Sequence, residues 1–183
     1  MWTPKWVDET LHNVTETGIL YKGNGYDLVD PFRIPSFCEE LGIREMEGIR
    51  SVFSVRDDHL FLETLQIRLP DGESYPYICG VKAVAGYNIL EDFSMFWGME
   101  DGKVYKNIDF PANLTGTILM GRETDENAVM TPDFRVSNFY DWYRELLLLS
   151  FHSGRLVEQR DVSGMTEQSF QEICRFANEL KKD

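Results

Sequence analysis

Cysteine is scarce and unpatterned. Cys38, Cys79 and Cys174 are odd in number and widely spaced, which supplies neither a disulfide framework nor a CxxC metal site. They read as reduced, partly buried thiols. Long apolar runs are missing as well: no window reaches the roughly 18 apolar residues of a membrane-spanning helix. Met1-Trp2-Thr3-Pro4-Lys5-Trp6 leads into no apolar leader core. The expectation is cytoplasmic residence without membrane association. The sequons at Asn13-Val14-Thr15 and Asn113-Leu114-Thr115 would matter only in a secreted protein.

Basic residues are few. With 18 Lys and Arg against 31 Asp and Glu, the net charge is -13, so the summed field repels polyanions and attracts cations. A nucleic-acid binder needs a basic stripe, and only short clusters exist, at 103–106 and at Lys181-Lys182. Nucleic acid is therefore excluded as a partner.

Catalytic and ligand signatures are absent. The three histidines, His12, His59 and His152, form no HExxH or other closely spaced pair of the kind zinc requires. There is no GxSxG elbow around a serine, and Cys38 is followed by Glu39 and Glu40, which disfavour its thiolate. Gly23-Asn24-Gly25 lacks the third glycine or the Lys-Ser/Thr pair of a phosphate loop. Acids such as Glu123, Asp125 and Glu126 do not follow the calcium-loop spacing. No catalytic residue, metal or cofactor is assigned.

What is present is core-forming material. Of 183 residues, 43% are hydrophobic and 13% aromatic, and a chain of this size buries about 70% of its surface on folding. A short internal likeness organises it. Thr17-Gly18-Ile19-Leu20 returns as Thr115-Gly116-Thr117-Ile118-Leu119, at an offset of 98. Residues 52–60 line up with 148–156 at an offset of 96. The chain reads as one domain, 1–183, with an internal duplication of 10–70 and 105–163.

Each copy reads as strand, long connection, strand, tight turn, strand. Asp57-Asp58 and Ser153-Gly154 sit between apolar or alternating runs, the pattern of two-residue hairpin turns. Strands are expected at 75–84 and 103–107, with turns at Gly23-Asn24-Gly25, Asp71-Gly72 and Asp101-Gly102. The run Leu146-Leu147-Leu148-Leu149 inside a strand over 142–151 suits burial on both faces. A short helix is expected over 36–47. The long connection 121–138 is polar.

The last element is a helix over 166–181. Thr166 is its N-cap, and Phe170, Ile173, Cys174, Ala177 and Leu180 form one apolar stripe. The expected fold is mainly β, a β-rich α+β protein. It is a single barrel or sandwich built from two pseudo-symmetric halves, with the amphipathic helix packed on it.

Candidate surface residues are aromatics and turn histidines. Tyr140 and Trp142 share one side of their strand, where a large area with little side-chain entropy suits a pocket or interface. Phe53, His59 and His152 complete the ligand- or partner-facing set. Three functional classes follow. The leading one is a non-enzymatic binding protein for a cationic protein partner, of the kind that neutralises a basic toxin domain. The second is a β-barrel carrier of a small apolar ligand. The third is a hydrolase pairing His59 or His152 with Glu123 or Asp125.

Overall fold

The computed structural model describes residues 14–28, 48–85, 102–122 and 143–180. The strands are β1 (Val14–Tyr21), β2 (Asn24–Leu28), β3 (Gly48–Arg56), β4 (His59–Arg68), β5 (Val84–Ala85), β6 (Lys103–Tyr105), β7 (Phe110–Pro111), β8 (Gly116–Arg122), β9 (Glu145–His152) and β10 (Arg155–Asp161). One helix, α1 (Glu167–Leu180), follows. The strands run in the order β10-β9-β8-β2-β1-β3-β4, and β4 returns to β10 to close a seven-stranded barrel. All its pairings are antiparallel except β1 with β3. Strands β6 and β7 lie along the outer edge of β4, and β5 pairs with β6.

Three hairpins build most of the wall, and each turns on two residues with positive φ. These are Lys22-Gly23, Asp57-Asp58 and Ser153-Gly154, the backbone that matches the twist of flanking strands. The first turn lies one residue earlier than the Gly-Asn-Gly pattern suggests, because Asn24 already belongs to β2. Along β4, Leu60 and Leu62 face the interior, but so do Leu65 and Ile67. A bulge opposite Val52 and Phe53 shifts the register there, so strict alternation fails at Glu63.

The interior holds Ile19, Tyr21, Phe53, Leu62, Leu149 and Phe151 among its buried side chains. A barrel of about eight strands has a bore that side chains just fill. The Leu146 to Leu149 run divides as expected of a doubly covered strand: Leu147 and Leu149 point inward, while Leu146 and Leu148 lie outside with Leu119 and Tyr143. Helix α1 covers that outer patch through Phe170 and Ile173. Thr166 caps it, its Oγ1 accepting from Ser169 N at 3.2 Å.

The seam that closes the barrel is short and two-fold in form. Leu60 N donates to Gly154 O at 2.9 Å, and Leu156 N donates to Asp58 O at 2.6 Å. The donors Leu60 and Leu156 are 96 residues apart, and so are the acceptors Asp58 and Gly154, so the offset between the two hairpins in sequence exchanges one bond for the other. The likeness stops at the hairpins. Strand β1 pairs with β3 in parallel, whereas β8 pairs with β9 antiparallel.

Some expectations are corrected. The 75–84 strand reduces to an Ile78–Val81 bridge and the short β5, because Cys79 and Gly80 both take positive φ and reverse the chain between them. Strand β6 ends at Tyr105, since Asn107 has φ of +55°. Cys79 is exposed rather than partly buried. The 36–47 helix lies outside the described residues. No helix among them is long and apolar enough to cross a membrane.

Candidate functional site: the barrel mouth and the hairpin seam

The apolar interior ends in polar side chains at one mouth. Inward-facing positions are set by alternation: Ile19 then Tyr21 on β1, Met120 then Arg122 on β8, Leu147 then Glu145 on β9. Tyr26 on β2 donates to Glu145 Oε1 at 3.1 Å. Arg122 pairs with the same carboxylate and lies 5.7 Å from the Tyr26 ring centre. Tyr21 donates to Gln159 Oε1 of β10, and Lys22 Nζ reaches the same oxygen at 3.3 Å. Five strands thus contribute to one polar rim.

Burial pushes the Tyr26 phenol up to about 12, with the hydrogen bond and charge of Glu145 adding and Arg122 opposing. On the outer side of the same strands, the Tyr143 ring lies against the Gly121 backbone. Burial, then the charge and hydrogen bond of Asp27, raise its phenol further. Both tyrosines are therefore neutral hydrogen-bond donors near neutral pH. Such groups orient and hold; they do not abstract protons. They fix the two stems, Arg122 and Tyr143, between which residues 123–142 run.

The seam collects both histidines of the sequence reading. Arg56 pairs with His59, His59 with Arg155, and Arg155 with His152, so four nitrogen-bearing side chains share one outward cross-strand row. All four are exposed. His59 Nδ1 donates to Asp57 O at 2.8 Å, and Arg56 pairs with Asp109. His59 and His152 stand two strands apart with Arg155 between them, so a guanidinium occupies the cross-strand position that separates the two imidazoles. Among the described residues no group of three His, Cys, Asp or Glu side chains is placed to hold a metal.

The other sequence candidates fall elsewhere. Phe53 is 3% exposed and packs in the interior, which removes it from any partner-facing surface. Tyr140 and Trp142 lie outside the described residues, as do His12, Glu123 and Asp125. The mouth residues Tyr21, Tyr26, Arg122, Glu145 and Gln159 were missed. A signal for several was available, because each inward alternation of β1, β8 and β9 ends on a polar-tipped residue. Three polar side chains on the outer wall were also missed. Arg50 is wholly buried directly opposite Gln66, and Ser54 is buried nearby on β3.

Charge is distributed unevenly. The described residues hold 14 acids and 12 bases, a balance of -2. The connecting stretches 29–47, 86–101 and 123–142 hold 14 acids and 3 bases, a balance of -11, while the two ends cancel. The same stretches carry 10 of the 24 aromatic residues. The barrel framework is nearly neutral, and the acidity belongs to its connections.

Comparison with protein-family models, with curated proteins and with solved structures gives no match.

Proposed function

We propose that this is a non-enzymatic binding protein whose acidic, aromatic-rich connections meet a cationic protein surface, as an acidic neutraliser of a basic toxin domain would. The observation that carries the reading is the charge distribution: -11 sits in three connections interleaved with 10 aromatics, on a nearly neutral framework. Carboxylates speed encounter with a basic partner and select against acidic ones. Aromatic faces add area and attract guanidinium and ammonium groups. A carrier of an apolar ligand would need free volume where Ile19, Phe53, Leu62 and Phe151 already pack. Residence in the reducing cytoplasm fits the three unpatterned cysteines.

The test is retention of a basic protein from the native host at low and at moderate salt, followed by titration of the captured protein against two variants. One carries Glu91→Gln, Asp92→Asn, Glu100→Gln and Asp101→Asn. The other carries Asp71→Asn, Glu73→Gln, Glu167→Gln and Glu172→Gln. The first is expected to weaken binding by about tenfold or more and to flatten its salt dependence, and the second to leave it nearly unchanged. Capture of nothing at either salt, or equal loss in both variants, overturns the reading.

A further inference from the structure

We infer that the outer edge of β10, residues 157–161, is a strand-pairing surface that takes β10 of a second copy of this chain. The inference rests on the two-fold seam. The hairpins β3–β4 and β9–β10 meet through His59 and Arg155 and two backbone bonds related by the offset of 96. Beyond that pair, the edge of β4 is occupied: Phe61 and Leu62 pair with β7, and Leu65 to Ile67 pair with β6. The equivalent positions on β10, 96 residues later, begin at Val157. Among the described residues no strand pairs there, and residues 157–161 are all exposed, Val157 at 61%. Among the described residues the fold supplies a partner strand at one of two equivalent edges and none at the other.

An open edge presents unpaired N–H and C=O groups that template another strand. Its own sequence argues for the occupant. Val157-Glu158-Gln159-Arg160-Asp161 laid antiparallel on itself, with all five residues paired, centres on Gln159. Glu158 then faces Arg160 of the second copy, and Arg160 faces its Glu158. Directly opposite residues share a face, and opposite charges there attract. Shifting the register by one places Glu158 against Asp161. The bulge between Leu156 and Glu158 and the edge charges discourage indiscriminate pairing, while the self-complementary register admits a second copy through one two-fold contact.

The experiment is sedimentation and light scattering of the full chain across a concentration series, with amide exchange mapped in parallel. The parent is expected to form dimers, with exchange at 157–161 slowing as concentration rises. Glu158→Arg and Arg160→Glu should each raise the dimer dissociation constant about tenfold or more, because two attractive pairs become repulsive. The double change Glu158→Arg with Arg160→Glu should restore it. Circular dichroism checks that each variant keeps its strands. A chain that stays monomeric up to its solubility limit overturns the inference, and so does a dimer indifferent to both single changes.

Discussion

Replacing Gly154 by alanine is expected to cost about 3 to 4 kcal/mol, whereas the same change at Gly23 costs about 1 kcal/mol. Both glycines close two-residue hairpin turns with φ of +80°, so a Cβ brings the same left-handed strain at each. The surroundings differ. A Cβ on Gly23 meets nothing within 4 Å, but one on Gly154 comes within 2.5 Å of the carbonyl oxygen of Ala112. That obstacle is backbone and cannot rotate away. Gly154 also accepts from Leu60 N and donates to Leu114 O at 2.8 Å. Displacing it therefore strains one of the two bonds that close the barrel and a second that ties the turn to the segment before β8, on top of an overpacking cost of about 1 to 3 kcal/mol. Urea unfolding of the two variants measures the difference, and amide exchange at Leu60 and Leu156 reports whether the seam opens first. Equal losses at the two glycines would show that the seam is not a closure point.

The same seam marks where sequence reading succeeds and where it stops. Hairpins are local. Asp57-Asp58 and Ser153-Gly154 between alternating runs announce their turns, because the partner strand is a few residues away and the turn chemistry itself sets the pairing. Helix α1 was equally legible, since its cap and its apolar stripe depend only on neighbours three and four residues apart. The Leu146 to Leu149 run announced double burial for a similar reason. Pairing between distant segments leaves no such mark. Nothing next to β1 in the chain says that it lies parallel to β3, and closure of the barrel through the single pair His59 and Arg155 follows from how the strands are staggered around the wall. The bulge at Glu63 hid the inward face of β4 for the same reason: it answers to the partner strand, not to its own neighbours.

The candidate site divides along that line. His59 and His152 were singled out as equivalents in two turns, and the seam does bring them into one row, with Arg155 between them. What single-strand reasoning could not provide is the ring of partners at the mouth. Tyr26 and Glu145 are 119 residues apart, and Tyr21 and Gln159 are 138 apart. Phe53 illustrates the converse error. An aromatic on a strand was offered as surface, yet its cross-strand partner Leu62 and its parallel neighbour Ile19 place it inside. The charge reading changed in location rather than in sign. A net charge of -13 gave the sign of the summed field without placing it, and the described strands and turns hold little of it.

The buried tyrosines set a limit on the alkaline side. Tyr26 and Tyr105 have phenols pushed from 10.0 up to about 12, in both cases chiefly by burial, and Tyr143 is raised further still. A group whose folded value lies above its unfolded one keeps its full contribution below the unfolded value and loses it as pH climbs through the folded value. Stability is therefore expected to hold up to about pH 10 and to fall between about pH 10 and 12. The structural cause is specific. Tyr105 is wholly buried and donates to Pro76 O at 2.7 Å, and Tyr26 donates to Glu145, so each ionisation removes a donor and sets an anion beside an oxygen. Tyr26→Phe and Tyr105→Phe should each cost about 1 kcal/mol at pH 7 through the lost hydrogen bond, yet each should flatten the alkaline fall. Chemical unfolding at intervals from pH 7 to 12, with tyrosinate absorbance followed in parallel, reads both effects. Ionisation of these phenols near pH 10 without loss of stability would show that the mouth is open to water. A steep fall that Tyr26→Phe moderates would place the polar rim among the contacts that keep the barrel closed, and so keep the stems of the acidic 123–142 connection, Arg122 and Tyr143, in the positions that the proposed binding role uses.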